Sequence, residues 1–499
     1  MSELSLGFRT MRMILSAGSV KSLMKYCIKK CDKCGKRPID TYLDELAGMK
    51  TKKCTKCKVA LFIVRFAAGT TMRSLKKKPG RVHDAVTRTY WRRAIASLVK
   101  GLAYFGPNKP FSTGAPLLVV WNFTNRCNLK CRHCYQDAGT SQLTDELTTS
   151  EALKVVEDLA ESDVCAISFS GGEPLARKDF FEVAGRAHDL GMYVSVATNG
   201  TLITKDVAKK LAKVAKYAEI SLDGAVAETH DGFRGIPGAW EKTVSGIRNC
   251  VNEGIYTAVA TTATKENLAE IPRLIDFAEK NGVKYFLCFN FVPTGRGKEI
   301  ASVDLSPTER EDLLKFMYEK LVYFQHNGGP NIFTTAPQFS RVGLQNAKIV
   351  QQKLSGCGGY TVIPATHYGN VPGVTANLAD FIGGCGAGRV YCGLSPSGIV
   401  TPCVFMPIPL GDLRKDNFTD IWINSKVLND LRDRKKLKGR CGKCKYKYVC
   451  GGCRARPYGY YGDYLLPDPG CIRRLEVPEI ENLPQKSSPE IAVTQKASK

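Results

Sequence analysis

The sequence has 499 residues, 43% hydrophobic and 24% charged, which is too long for one ordinary domain and apolar enough for packed cores. No run of 18 or more apolar residues occurs, so no transmembrane helix is expected. The formal charge is +25, yet residues 1–110 alone carry 25 Lys+Arg against 6 Asp+Glu, a net +19, so the basic field belongs to the N-terminal region and would attract phosphate.

In chain order, the first signal is Cys31-x2-Cys34-x19-Cys54-x2-Cys57, the spacing of a four-thiolate zinc knuckle. Zinc is expected ahead of iron, in a structural role, because four thiolates leave no open position. Cys27 lies nearby as a spare. Around the knuckle, residues 8–28, 60–66 and 91–105 interleave apolar and basic side chains. That composition suits interfacial helices, with about 1 kcal/mol per basic residue at an anionic surface. The alternatives are a helical face packed on the rest of the protein, or contact with nucleic acid, for which nothing beyond the knuckle speaks.

From residue 115 onward, short apolar runs alternate with helical patterns. Strands are expected at 117–123, 166–169, 193–197, 218–222, 256–262 and 285–289, and helices at 149–161, 179–190, 205–214, 240–253 and 267–280. This alternation implies βαβ units and an α/β fold, a partial (β/α)6-type barrel like an incomplete TIM barrel. Its ligands should sit at the C-terminal strand ends. Residues 301–355 read as a helical linker, 356–475 as a small Cys-rich α+β extension, and 476–499 as a disordered polar tail.

Cysteines number 20 and fall mostly in short groups rather than in a disulfide-scaffold pattern. Metal-ligand thiols need a reducing compartment, so a cytoplasmic location is expected, with peripheral attachment at the inner face of the membrane if the basic segments bind lipid. Residues 11–20 are mildly apolar and end in small residues, but the run is too broken for a signal peptide.

The run Cys127-x3-Cys131-x2-Cys134 directly follows the first strand. Three thiolates on one loop can hold three irons of a [4Fe–4S] cluster and leave the fourth iron open to a small molecule. A structural zinc would want four ligands. On this motif and those that follow, the chain resembles the radical S-adenosylmethionine (SAM) superfamily over most of residues 115–475.

The resemblance implies an enzyme whose open iron chelates SAM. An electron from the cluster then yields methionine and a 5′-deoxyadenosyl radical that abstracts hydrogen from a substrate. Gly171-Gly172-Glu173-Pro174 follows the second strand; by resemblance it binds the methionyl amino group. Ser195, Thr198, Asn199, Ser221 and Asp223 end the third and fourth strands and by resemblance contact the ribose and carboxylate of SAM; otherwise they are ordinary loop polarity. His133 stands where the family commonly has an aromatic residue, and its ring is expected near the adenine. The run 293–297, PTGRG, follows the sixth strand beside adenine or substrate.

Cys385, Cys403, Cys441, Cys444, Cys450, Cys453 and Cys471 resemble the SPASM extension, which holds auxiliary [4Fe–4S] clusters. Cys450 and Cys453 stand one residue closer than the family spacing. By the family pattern, Cys385, Cys403 and Cys453 hold one auxiliary cluster and Cys441, Cys444, Cys450 and Cys471 the other. The fourth ligand of the first is Cys392, Cys357 or none. Cys165, Cys250 and Cys288 read as buried free thiols.

For the substrate, the basic N-terminal region with its interleaved apolar residues points first to C–C bond formation between archaeal-type membrane lipid chains. The alternatives are crosslinking of a peptide and modification of a haem-pathway tetrapyrrole, to which residues 119–124 and 293–297 look similar. A non-catalytic electron carrier comes last. Expected partners are SAM, a reductant such as ferredoxin or flavodoxin, and an anionic membrane surface.

Overall fold

Six parallel strands form where the sequence places them: β1 Leu118–Thr124, β2 Ala166–Gly171, β3 Tyr193–Thr198, β4 Tyr217–Ser221, β5 Tyr256–Ala263 and β6 Tyr285–Asn290. The computed structural model describes residues 15, 17–49, 54–55, 57–58, 86–353, 363–365, 369–371 and 376–474. Cys357, the expected tail, the basic segment 60–66 and residues 8–14 of the segment 8–28 lie outside these, whereas the helix Gly18–Ile28 lies within them.

Adjacent parallel strands require a crossover, and helices supply it: Thr149–Glu161, Phe180–Asp189, Lys205–Val214, Ala239–Asn252 and Ile271–Lys280. The first is set by a capping box, in which the Thr148 hydroxyl accepts from Glu151 N and the Glu151 carboxylate accepts from Thr148 N. After β6, the helix Pro307–Asn327 leads into β7, Asn331–Thr334, which pairs parallel to β6. This seventh strand falls within the stretch expected as a helical linker.

A short antiparallel pair, β8 Ile363–Ala365 and β9 Gly369–Val371, stands apart from the main sheet. The chain then returns to the barrel. β10 Tyr391–Leu394 pairs parallel to β1, followed by antiparallel β11 Ile399–Thr401 and β12 Gly411–Asp412. The sheet order is β12-β11-β10-β1-β2-β3-β4-β5-β6-β7. The Cys-rich extension is therefore continuous with the barrel sheet and covers the edge that β1 would otherwise expose.

Alternation along the strands sets where the site can be. Val119, Trp121 and Phe123 on β1, Ala218 and Ile220 on β4, and Phe286 and Cys288 on β6 are almost wholly buried under the helices. The opposite positions line an open lumen, and many of them are small: Ser168, Ser170, Ser195, Ala197 and Ala260. Side chains this short cannot fill the interior, so the barrel keeps a cavity of about 960 Å³.

The N-terminal region docks at the other end. The helix Thr89–Phe105 sets Tyr90 edge-on against Tyr193, the first residue of β3, with ring centroids 5.4 Å apart. Tyr90, Trp91 and Ala94 line the cavity, so this helix floors the barrel. Two cations converge on buried Asp163, just before β2: Arg37 at 2.5 and 2.7 Å, and Lys100. Arg92 pairs with Asp44 on the helix Pro38–Leu46. The stretch 91–105, read as an interfacial helix, thus turns Lys100 and Arg92 onto acids of the protein itself. Among the described residues, no helix is long and apolar enough to cross a membrane.

Candidate active site

The Cys127–Cys131–Cys134 loop is held by neighbours from three elements. Cys127 N donates to Gly139 O at 2.6 Å, while Lys130 N and Arg132 N donate to the carbonyls of Arg234 and Phe233 at the end of the helix Ala227–Arg234. Arg296 of the PTGRG run donates to Cys131 O at 3.1 Å and to Ala138 O at 2.7 Å. PTGRG therefore also braces the cysteine loop, while Arg296 lines the cavity.

Behind the loop lies a buried charge network. Asp223 pairs with Arg234, and Arg234 Nη1 also lies 3.6 Å from Cys131 Sγ. Burial works against ionising Asp223, but the Arg234 guanidinium holds its carboxyl below the ordinary range. His133 stacks on Phe233 with centroids 4.2 Å apart, and burial pushes its pKa down to about 3, so the ring is neutral. It lines the cavity as an apolar plate rather than a proton carrier.

The glycine motif serves close approach. Gly171 has φ 112°, and a methyl on Gly172 would lie 2.2 Å from Arg126 O. Glu173 is fully buried and accepts from Thr198 Oγ1 at 2.8 Å, Asn199 N at 2.9 Å and Leu175 N at 3.2 Å. It ties the end of β3 to the turn after β2. Gly171, Gly172, Ser195, Thr198, Asn199 and Ser221 reach the cavity wall with the three cysteines. Glu173, Pro174 and Asp223 sit behind that wall.

Cys385, Cys403 and Cys453 line the same cavity. Burial raises the Cys453 thiol, and the charges of Cys385 and Cys403 raise it further. Cys450 is raised by burial and then by Cys471 and Cys441. Cys392 on β10 faces the barrel core with Leu394, away from this group, whereas its neighbour Tyr391 places its hydroxyl 3.6 Å from Cys403 Sγ. Of the two suggested fourth ligands, Cys392 therefore points the wrong way.

Several site residues escaped the sequence reading. Arg234 is a single residue at a helix end with no motif of its own. Asp468 accepts from Cys453 N at 2.8 Å and from Gln338 and Arg456, while Arg456 donates to Phe291 O after β6. This buried network fastens the cysteine extension to the barrel.

The N-terminal knuckle closes as spaced. The thiols of Cys31, Cys34, Cys54 and Cys57 all lie within 4.8 Å of one another, with Cys31–Cys54 at 3.6 Å and Cys34–Cys57 at 3.5 Å. Among the described residues, this is the one Cys, His, Asp or Glu group tight enough for a single ion. The site fits a tetrahedral metal. The other cysteine groups are more widely spread, as a cluster with several irons requires. Burial raises Cys127 to about 12 and Cys403 to about 12. Buried neutral thiols gathered around a cavity fit a cationic cluster that would deprotonate them.

The family models match this geometry. Residues 121–278 match the radical SAM superfamily, and residues 385–445 match SPASM, an iron-sulfur cluster-binding domain. AdoMet-dependent heme synthase of Methanosarcina barkeri is 40% identical over 364 residues, covering 72% of this chain and 98% of the relative. The chain belongs to the radical SAM superfamily. Fe-coproporphyrin III synthase of the same organism is 32% identical, over 72% of this chain and 89% of its own length. Mycofactocin maturase MftC of Mycolicibacterium smegmatis is 30% identical, over 75% and 87%. In fold, Streptococcus suis SuiB bound to its precursor peptide SuiA matches with TM-score 0.60 at 16% identity, covering 87% of this chain and 92% of SuiB. As a radical SAM enzyme, the chain takes a [4Fe–4S] cluster with SAM and auxiliary clusters in its SPASM domain.

Proposed function

We propose that this enzyme oxidatively decarboxylates propionate side chains of an iron tetrapyrrole to vinyl groups. The observation that carries the reading is the 40% identity running over 98% of AdoMet-dependent heme synthase. Iron-coproporphyrin III carries propionates where haem carries vinyl groups, and the chemistry that converts one to the other balances with radical SAM cleavage. A hydrogen atom passes from the side-chain carbon next to the ring to the 5′-deoxyadenosyl radical, giving 5′-deoxyadenosine. The substrate radical then loses one electron while its bond to the carboxylate breaks, releasing CO2 and leaving the C=C bond.

In this reading, Cys127, Cys131 and Cys134 hold the cluster that binds SAM. Gly171, Gly172, Ser195, Thr198, Asn199 and Ser221 line the same space and contact SAM, while Glu173, Pro174 and Asp223 shape it from behind. Cys385, Cys403 and Cys453, whose thiols line that cavity, would hold a centre able to accept the released electron. Cys441, Cys444, Cys450 and Cys471 hold the second auxiliary centre. A cavity of about 960 Å³ stands near the top of the range for ligand sites, about 300–1,000 Å³, which suits a macrocycle. Residues 1–110, 115–300 and 356–475 act as knuckle region, catalytic barrel and auxiliary extension, and a ferredoxin or flavodoxin supplies the first electron.

The lean toward lipid chains gives way here. The relatives are named for haem, coproporphyrin and mycofactocin. The charge that motivated the lipid reading is partly consumed in internal ion pairs.

Anaerobic incubation with iron-coproporphyrin III, SAM and dithionite should give 5′-deoxyadenosine and a porphyrin lighter by CO2 and two hydrogens per converted side chain. Formation of 5′-deoxyadenosine with no mass change in the porphyrin would overturn the reading. The same outcome with Cys131→Ala as with wild type would show that the chemistry lies elsewhere.

A further inference from the structure

Glu219 sits on the middle of β4, between Tyr217 toward the barrel floor and Ser221 toward the cluster loop. All three share the inward face, because side chains alternate along a strand. Its register partners are Ala197 on β3 and Ala258 on β5. Two methyl side chains leave the Glu219 carboxyl standing free in the lumen. It is the only acid among the described residues that line the cavity, and it has no hydrogen-bond partner among the described residues.

An unpartnered acid in a barrel interior is costly unless something enters to meet it. No cation reaches it: burial alone acts on the Glu219 carboxyl, which in turn raises the phenols of Tyr217 and Tyr135. Tyr135 is already engaged, with its hydroxyl 2.8 Å from Asn122 Oδ1 and 3.0 Å from Ser170 Oγ. Below lies an aromatic floor, in which Tyr217, Tyr285 and Phe333 succeed one another at 5.6 and 5.7 Å between centroids. Among the described residues that line the lumen, a ligand that descends from the cluster end thus meets a single carboxyl, on the middle of β4.

Resting on the tetrapyrrole reading, we infer that Glu219 is a specificity-determining substrate contact: its carboxylic acid donates an O–H hydrogen bond to a propionate carboxylate of the bound porphyrin. Burial pushes the Glu219 pKa up to about 7, which favours the protonated form that can donate. Two carboxyl groups that share one proton attract, whereas two ionised ones would repel. This contact selects substrates that present an acid on a flexible arm. It also fixes how deep that arm reaches below the 5′-deoxyadenosyl position.

The test is an absorbance titration with iron-coproporphyrin III and with its methyl ester, on wild-type enzyme, Glu219→Gln and Glu219→Leu, each matched for iron content. Wild type should bind the free acid at least about 10-fold more tightly than the ester, the size of a hydrogen bond to a charged group. Glu219→Gln keeps a neutral donor and should hold the acid within a few-fold of wild type. Glu219→Leu should lose the preference for acid over ester. Should Glu219→Leu fail to fold, the wild-type preference and its retention in Glu219→Gln remain decisive. Equal wild-type affinity for acid and ester, or an undiminished preference in Glu219→Leu, would overturn the contact while leaving conversion of the porphyrin intact. Absence of both binding and conversion in wild type would instead overturn the tetrapyrrole reading, and this contact with it.

Discussion

Replacing Gly172 by alanine probes the turn that brings β2 against the cysteine loop. The added methyl would lie 2.2 Å from Arg126 O and 2.7 Å from Arg126 C, both backbone atoms. An ordinary contact needs about 3.4 Å, so the Arg126 carbonyl must retreat by roughly 1 Å or the turn must open. That carbonyl also accepts from Glu173 N at 2.8 Å, and Gly172 N donates to Thr124 O at 2.7 Å. Losing these two bonds costs about 1 kcal/mol each, and overpacking adds about 1–3 kcal/mol, for a total of about 3–5 kcal/mol. Arg126 immediately precedes Cys127, so the same shift displaces one cluster ligand. Gly172→Ala should therefore melt several degrees lower and, after anaerobic reconstitution, lose the iron and the SAM-dependent change in the electron paramagnetic resonance signal of the loop's cluster. Gly139→Ala is the control, because a methyl there meets nothing within 4 Å. Unchanged melting, iron content and SAM response in Gly172→Ala would refute the steric reasoning.

Other consequences can be measured directly. Asp163 has φ 69°, a backbone that asparagine tolerates, so Asp163→Asn removes charge with little strain. It leaves Lys100 without its acid and Arg37 with Asp40 alone, and should cost about 3 kcal/mol, visible as a lower melting temperature and faster tryptic release of the N-terminal region. Cys57→Ser should abolish one bound metal ion per chain, counted by elemental analysis, without lowering the iron content. Glu219 carries a pKa raised to about 7, so the folded chain holds that proton more tightly than the unfolded one. The stabilisation is full below the ordinary carboxyl range and is lost as pH rises through about 7, up to about 3 kcal/mol. Glu219→Gln should accordingly gain stability relative to wild type between pH 5 and pH 8 in chemical denaturation; parallel curves would contradict it.

Much of the barrel was legible because its signals are local. Each strand from β1 to β6 is a short apolar or β-branched run, and each crossover helix shows its own periodicity, down to the Thr148–Glu151 capping box. Residues 127–134 and 171–174 were legible for the same reason, since each places its groups within one loop. What local patterns could not carry was pairing. β10 reads as an ordinary apolar tetrapeptide, and nothing within Tyr391–Leu394 announces that it will lie parallel to β1, more than two hundred and sixty residues earlier. The helix Thr89–Phe105 reads equally well as membrane-facing or protein-facing, because composition records its charges but not the acids they meet.

The sequence by itself determined the chemistry: three thiols on one loop leave an iron corner free, and the later cysteines are spaced for auxiliary centres. Ligand identity and loop spacing are written in adjacent residues, so no long-range contact is needed to read them. Only the tertiary structure decided that Cys385, Cys403 and Cys453 face the same lumen as Cys127, Cys131 and Cys134, that Cys392 turns away, and that Glu219 stands unpartnered between two alanines. These are facts about which strand lies beside which and which face turns inward. They arise when the chain closes into a barrel, and no run of neighbouring residues contains them.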